Sequence, residues 1–266
     1  MVNFKQFSAV MATVAGLTVA SAAVVAPAQA FTVTPSSITD DDFRSLLTQG
    51  DFSELFVAES RMGNNGNSGD RELGINDALV PDGNGGFKGA APLDEGQRVW
   101  QSGLAVAFEL SYDALTSQIA YKVGGQTLEA SIAPSSPDSI FLRTRAQGKK
   151  NTVSSALTLQ NLMLDEGNGF QTINAGLSSS ATGAGKDVDY LIISGLVGSF
   201  TLKGEQIFDW EGQLPTGSRL ATQLKVGVSS EAEAVPEPLT ILGTLAAGGL
   251  GYGMKRRRGS QIAENA

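Results

Sequence analysis

The stretch Arg98–Ala133, RVWQSGLAVAFELSYDALTSQIAYKVGGQTLEASIA, decides the fold. Apolar residues recur at every second position over Val106, Phe108 and Leu110, the period of a strand that buries one face. A second alternating run follows, and Gly124-Gly125 stands between its two arms where a hairpin turn needs residues free to adopt positive φ. The same texture continues outward on both sides: ELFVAESRM (54–62) before it, then DSIFLRTRAQ (138–147), NTVSSALTLQNLMLD (151–165), DVDYLIISGLV (187–197), SFTLKGEQIFDWEG (199–212) and SRLATQLKVGV (218–228). About nine short strands, separated by Gly, Asn and Ser and not interrupted by ten-residue helical patterns, predict a mainly β fold. The expected architecture is an antiparallel β-sandwich, jelly-roll-like, over 53–229. No fixed-period repeat divides it, so one domain is expected.

Ahead of the sandwich, SSITDDDFRSLLTQGDF (36–52) predicts one short helix in the lead-in 31–52. Thr39 or Asp40 caps the first turn, Asp40–Asp42 suit the positive dipole end, Phe43, Leu46 and Leu47 form the apolar stripe, and Gly50 stops it. The acidic trio also admits a cation-site reading, but helix-start chemistry accounts for it more simply. Residues 63–97 are glycine-rich with little periodicity and read as an exposed loop or mobile segment.

Composition excludes whole classes of chemistry. The chain has no His and no Cys, which removes serine–histidine triads, cysteine nucleophiles, His-ligated metals and thiolate clusters, and leaves no disulfide to staple an exported domain. Within 31–235 there are 14 basic and 25 acidic residues, a formal charge of −11. An acidic surface repels phosphate backbones, so nucleic acid is not an expected partner.

Both ends read as processing signals. Val10–Ala26 is an apolar run leading to APAQA; small residues at Ala28 and Ala30 suit signal peptidase, with cleavage before Phe31. An uncleaved amino-terminal anchor is the alternative. At the other end SSEAEAVPEP (229–238) is a polar linker, followed by Leu239–Met254, 16 residues that as a helix span roughly 24 Å. That is marginal for a hydrocarbon core of about 30 Å, yet Lys255, Arg256, Arg257 and Arg258 directly after it fit a membrane-flanking basic cluster on the cytoplasmic side of a transmembrane helix. A buried strand or helix would leave those four adjacent cations unexplained.

The segment VPEPLTILGTLAAGGLGYGMKRRR (235–258) closely resembles the PEP-CTERM sorting signal: Pro236-Glu237-Pro238, a short membrane helix, then a basic cluster. The resemblance implies recognition by an exosortase-like processing enzyme, a bacterial envelope, and delivery to the cell surface or extracellular matrix. It implies no activity. Residues 53–228 are similar to the β-sandwich domains of exported bacterial proteins grouped as choice-of-anchor, on LFVAESRMGNNG (55–66) and FELSYDALTSQIAYKVGG (108–125), which implies fold and location only.

Three kinds of site remain to be weighed. PDGNGGF (81–87) offers Asp82 and Asn84, with Asp77 or Asp94, as oxygen ligands to calcium, but Gly86 replaces the third oxygen donor and no glutamate follows at the proper distance, so turn chemistry competes. NGNSGD (65–70) and DEGNG (165–169) are similarly incomplete. A carboxylate pair for sugar hydrolysis would draw on Glu54, Glu59, Glu109, Asp209 or Glu211, with Tyr112 and Asp113 beside Glu109. Trp100 and Trp210 either stack on sugar rings or pack into the core, and their apolar flanks favour the core. The leading expectation is a non-enzymatic, cofactor-free protein of surface or matrix, structural or associated with exopolysaccharide. A carbohydrate- or calcium-binding adhesive module is the alternative, and a glycosidase-like enzyme comes third.

Overall fold

A computed structural model describes residues 31–62, 72–84, 86–149 and 153–230. Along the chain these form β1 (Thr32–Ser36), α1 (Asp40–Gln49), β2 (Phe52–Met62), β3 (Leu73–Asp77), β4 (Val80–Pro81), β5 (Phe87–Lys88), β6 (Pro92–Gly96), β7 (Ala105–Asp113) and β8 (Gln118–Val123). They continue with β9 (Gln126–Ser131), β10 (Ser139–Gln147), β11 (Ser154–Asp165), β12 (Gln171–Thr172), β13 (Leu177–Ala181), β14 (Lys186–Ser194), β15 (Phe200–Glu211) and β16 (Leu220–Ser229). The first sheet runs β1-β14-β10-β16-β2-β3-β6; the second runs β12-β11-β15-β7-β8-β9, with β13 also beside β11; β4 and β5 form a separate small hairpin. The strand pairs are antiparallel, as expected.

Eight strands make the centre. β2 pairs with β16, β7 with β15, β10 with β14 and β11 with β13, as though one long hairpin ran out along the chain and returned. Rolling that hairpin brings β16 beside β10 and β15 beside β11, the strand order of a jelly roll. The alternation in Val106–Tyr112 does what its period predicts: Val106, Phe108, Leu110 and Tyr112 enter the core between the sheets, meeting Phe56, Ile75, Ile140, Leu142 and Leu224 from the first sheet. Polar groups inside this core call for partners, and several find them across the layers. Tyr121 and Ser60 share a 2.8 Å hydrogen bond, Gln206 Nε2 donates to Ser60 at 3.0 Å, and Thr144 and Ser179 meet at 2.7 Å.

Two segments carry more structure than their composition suggests. The glycine-rich stretch 63–97 supplies β3 and β6, which extend the first sheet beyond β2, because Leu73 and Ile75 have an apolar face to join. The lead-in supplies α1, and also β1 at the opposite edge, where Pro35 is tolerated because an edge strand needs donors on one side only. The helix follows its sequence signals: Thr39 and Asp42 form a reciprocal capping box, and Gly50 ends it at φ 79°.

The helix docks on the outer face of the first sheet through Phe43, which lies 5.3 Å from Phe141, 5.7 Å from Phe52 and 5.7 Å from Tyr190 between ring centroids. Phe52 and Phe56 share strand parity, yet Phe52 belongs to this outer cluster and Phe56 to the core between the sheets. A β-bulge reconciles them. The pairing steps from Val226↔Phe56 to Gly227↔Glu54, leaving Leu55 extra and switching the face of everything before it. Gly227 makes room for the turned strand: a Cβ there would stand 2.5 Å from the Phe52 ring and closer still to the Ser53 carbonyl oxygen. Gly227→Ala is therefore expected to destabilise the protein by about 2 to 4 kcal/mol through forced displacement of backbone and ring. Thermal unfolding checks this, and wild-type stability in the variant would show that the bulge has slack.

Candidate functional site

The sequence-predicted residues have several fates. Ala28, Ala30, Pro236, Glu237, Pro238, the span 239–254 and Lys255, Arg256, Arg257 and Arg258 lie outside the described residues; among those described, no helix is long and apolar enough to cross a membrane. Asp82 Oδ1 accepts the backbone N–H groups of Asn84 at 2.7 Å and Gly86 at 3.0 Å, and these hold its carboxyl below the usual range. Its oxygen thus serves a tight turn. Asp77 and Asp94 accept backbone N–H groups of their successors, and Asp94 also that of Glu129. Among the described residues no group of three or more acidic side chains gathers in metal-binding geometry.

The carboxylates proposed for hydrolysis are dispersed. Glu109 pairs with Lys122 at 2.7 Å across β7 and β8, Asp209 accepts the Ser102 hydroxyl at 2.8 Å, Asp113 accepts Leu115 N–H in a turn, and Glu211 is exposed. Tyr112 is buried and donates to the Ser135 carbonyl at 2.8 Å. Trp100 is a core residue, stacked on Phe208 at 4.0 Å with Nε1 donating to the Arg61 carbonyl at 3.0 Å; Trp210 is half-buried against the same core. Only Glu54 and Glu59 come together, on the outer face of the first sheet, because the bulge places Glu54 on the face Glu59 already occupies.

That face holds a concentration of buried charge: Glu54, Glu59, Arg143 and Lys225 are all less than a tenth exposed. Lys225 Nζ meets Glu54 Oε2 at 3.1 Å and lies 4.7 Å from the centre of the Phe43 ring. Glu54 Oε1 accepts Leu79 N–H at 3.1 Å, tying down the segment before the β4–β5 hairpin. Glu59 faces Arg61 at 3.4 Å and accepts Gln223 Nε2 at 3.3 Å, while Gln223 Oε1 accepts Arg143 Nη1 at 3.3 Å. Arg143 grips Asp40 with two parallel bonds of 2.7 and 2.8 Å, and Lys186 at 2.8 Å and Tyr190 at 3.0 Å complete the shell around that carboxylate. Burial pushes the Asp40 carboxyl up, but Arg143, Lys186 and Tyr190 outweigh it and hold it far below the usual carboxylate range.

Between α1, the hairpin and this face lies a crevice of about 290 Å³, with Arg44, Arg143, Arg145 and Lys225 lining it against the single carboxylate of Asp40 and walls that include Phe43, Phe87 and Tyr190. Arg145 is pulled down by burial and then by the neighbouring charges of Arg143 and Arg219, with Asp40 offsetting only part of this. Sequence reasoning missed this site and assigned Asp40 to helix-start electrostatics. The available signal was FLRTRAQ, where cations alternate on a strand whose other residues, Gln147 apart, are apolar or small, so that both faces of β10 are covered.

The second sheet offers a different surface. Its outer face carries two shallow hollows of about 420 and 370 Å³. Small residues, Ala107, Ser111, Ala120 and Thr201, are among their lining, with Glu109, Lys122, Lys203, Glu205, Glu129 and Asp165 around them. A bulge in β11 turns Asn161 to φ 52°, and Gln160 and Asn161 both donate to Glu205 at 3.0 and 2.9 Å. The face is polar, with donors and acceptors spaced along it. Comparison of the chain with protein-family models and with curated protein sequences finds no match.

The Asp40 cluster makes stability pH-dependent with a definite sign. The folded value is depressed, so its contribution is complete above the unfolded value of about 3.9 and drains away as pH falls below it. Asp40→Asn is expected to cost about 2 to 3 kcal/mol at neutral pH, part of the buried-pair range because the carboxylate keeps some solvent contact. The gap from wild type should shrink in denaturant titrations as pH drops below about 4; a gap independent of pH would remove the ion cluster as its cause.

Proposed function

We propose that this chain is an exported, non-enzymatic protein of the cell surface or extracellular matrix, brought across the membrane by a cleavable leader and sorted by its Pro236-Glu237-Pro238 tail. Its sandwich associates with extracellular polysaccharide. One observation carries the reading: Pro236-Glu237-Pro238, the apolar run Leu239–Met254 and the cations Lys255, Arg256, Arg257 and Arg258 follow one another in the order of a sorting signal. Among the described residues, the two sheets of the sandwich close a core between them. In this reading the leader and the tail act as addresses for signal peptidase and an exosortase-like enzyme.

The polar face of the second sheet favours the related reading of a carbohydrate-binding module, because sugars are held by hydrogen bonds from fixed side chains and this face presents several anchored ones. Support for a hydrolase is weaker, since Glu54 and Glu59, the two carboxylates that share a face, are each engaged by a cation. A calcium module has less support still, with Asp82 occupied by its own turn.

Mass spectrometry of the native protein's termini, combined with cell fractionation, tests the sorting account. Phe31 as first residue and loss of residues beyond about 238 is the expected result; an intact leader and tail in the cytoplasm would overturn it. Melting curves with calcium and with neutral oligosaccharides separate the module readings, a rise with sugar supporting the second-sheet face and flat curves in both removing it.

A further inference from the structure

We infer that the crevice between α1, the β4–β5 hairpin and the outer face of the first sheet binds an anionic sugar, a unit bearing a carboxylate or sulfate. The argument starts from charge. In an interval whose formal charge is −11, this one face gathers Arg143, Arg145, Lys186, Arg219 and Lys225. Two carboxylates face these cations directly: Asp40, taken by Arg143, Lys186 and Tyr190, and Glu54, taken by Lys225. Glu59 is taken by Arg61 and Gln223, and the exposed Asp41 by Arg44.

Among the described residues, Arg145 feels the Arg143 and Arg219 guanidinium groups, with Asp40 offsetting part of their repulsion; it is bonded through Nη2 to Gln147, and its buried Nε lacks a partner. Like charges held together in a half-buried setting raise the energy of the empty site and are relieved by an anion. Asp40 already demonstrates the preference, since a carboxylate bound there draws a bidentate guanidinium, an ammonium and a phenol at once. The remaining space has the dimensions and lining of a subsite for one or two sugar units: about 290 Å³, with Phe87, Phe43 and Leu79 for apolar ring faces and Gln223 for a hydroxyl.

This deepens the polysaccharide reading and rests on it for the identity of the ligand as a sugar, whereas the cationic crevice stands on the geometry alone. Calorimetric titration of the purified full chain in detergent uses three probes: a glucuronic acid trisaccharide, the neutral glucose trisaccharide and inorganic sulfate. The acidic trisaccharide should bind, with affinity about tenfold weaker at raised salt and at least about tenfold weaker in Arg145→Gln. The neutral trisaccharide and sulfate should bind at least about tenfold more weakly than it does. Arg145→Gln should melt no lower than the parent, having lost a repelled charge, so that lost binding is not lost folding. Equal binding of neutral and acidic trisaccharides, equal binding of sulfate, or full affinity in Arg145→Gln would each overturn the inference. Because the readout is binding by isolated protein, its failure is separable from a failure of the sorting account.

Discussion

Everything on the outer face of the first sheet depends on one parity break. A regular strand sends Phe52, Glu54, Phe56 and Ala58 to the same side; the extra residue at Leu55 sends the first two outward and the last two inward. Phe52 then completes an aromatic nest with Phe141 and Tyr190, into which Phe43 inserts and fixes α1 against the sheet. Glu54 lands beside Lys225 and holds the chain ahead of the hairpin through Leu79. With α1 fixed, Asp40 in its first turn lies over Arg143. Without the bulge, a carboxylate would be aimed into the apolar core and the helix would lose its anchor, so Gly227, the residue that lets Phe52 lie flat, is as much part of the crevice as the arginines are.

The electrostatics of that crevice follow from the difference between burying a pair and burying a charge. Ions taken out of water lose several kcal/mol of hydration each, which is recovered only where partners and hydrogen bonds are complete. Arg143 and Asp40 meet that condition through parallel bonds, and Lys225 meets it with a carboxylate and an aromatic face. Arg145 does not, lying between Arg143 and Arg219. An acidic protein had ample carboxylates with which to neutralise it, so a guanidinium only partly compensated, in the lining of a crevice, reads as a group kept for a ligand.

The strands were legible wherever one face was wet and the other dry, as in β7 and β8, because only then does burial write an alternating pattern. β10 is the opposite case. Covered by the core on one side and by α1 on the other, SIFLRTRAQ reads as buried almost throughout, and its arginines are visible as charges without revealing what they face. The helix was legible from Thr39, Phe43 and Gly50, whose chemistry is local. The role of Asp40 was not, since its partners Arg143, Lys186 and Tyr190 come from β10 and β14, more than a hundred residues away. β3 and β6 were hidden by the glycines around them: Leu73 and Ile75 are too few to make a period, and the neighbouring edge of β2 makes them a strand. Trp100 is buried in the core, as the apolar residues near it suggest, whereas Trp210, set directly between Asp209 and Glu211, packs only half-buried against that core.

The direction of β16 sets the crevice apart from the point where the chain leaves the body. The chain leaves the body at Ser230, whose N–H donates to the Asp51 carbonyl at 2.9 Å, so any tail departs from the end of the first sheet where β16 finishes and β2 begins. Arg145 pairs with Ala221, near the other end of β16. At about 3.3 Å per residue the two ends of that strand are separated by on the order of 26 Å. The point where the chain leaves the body and the Arg145–Arg219 end of the crevice therefore lie at opposite ends of β16.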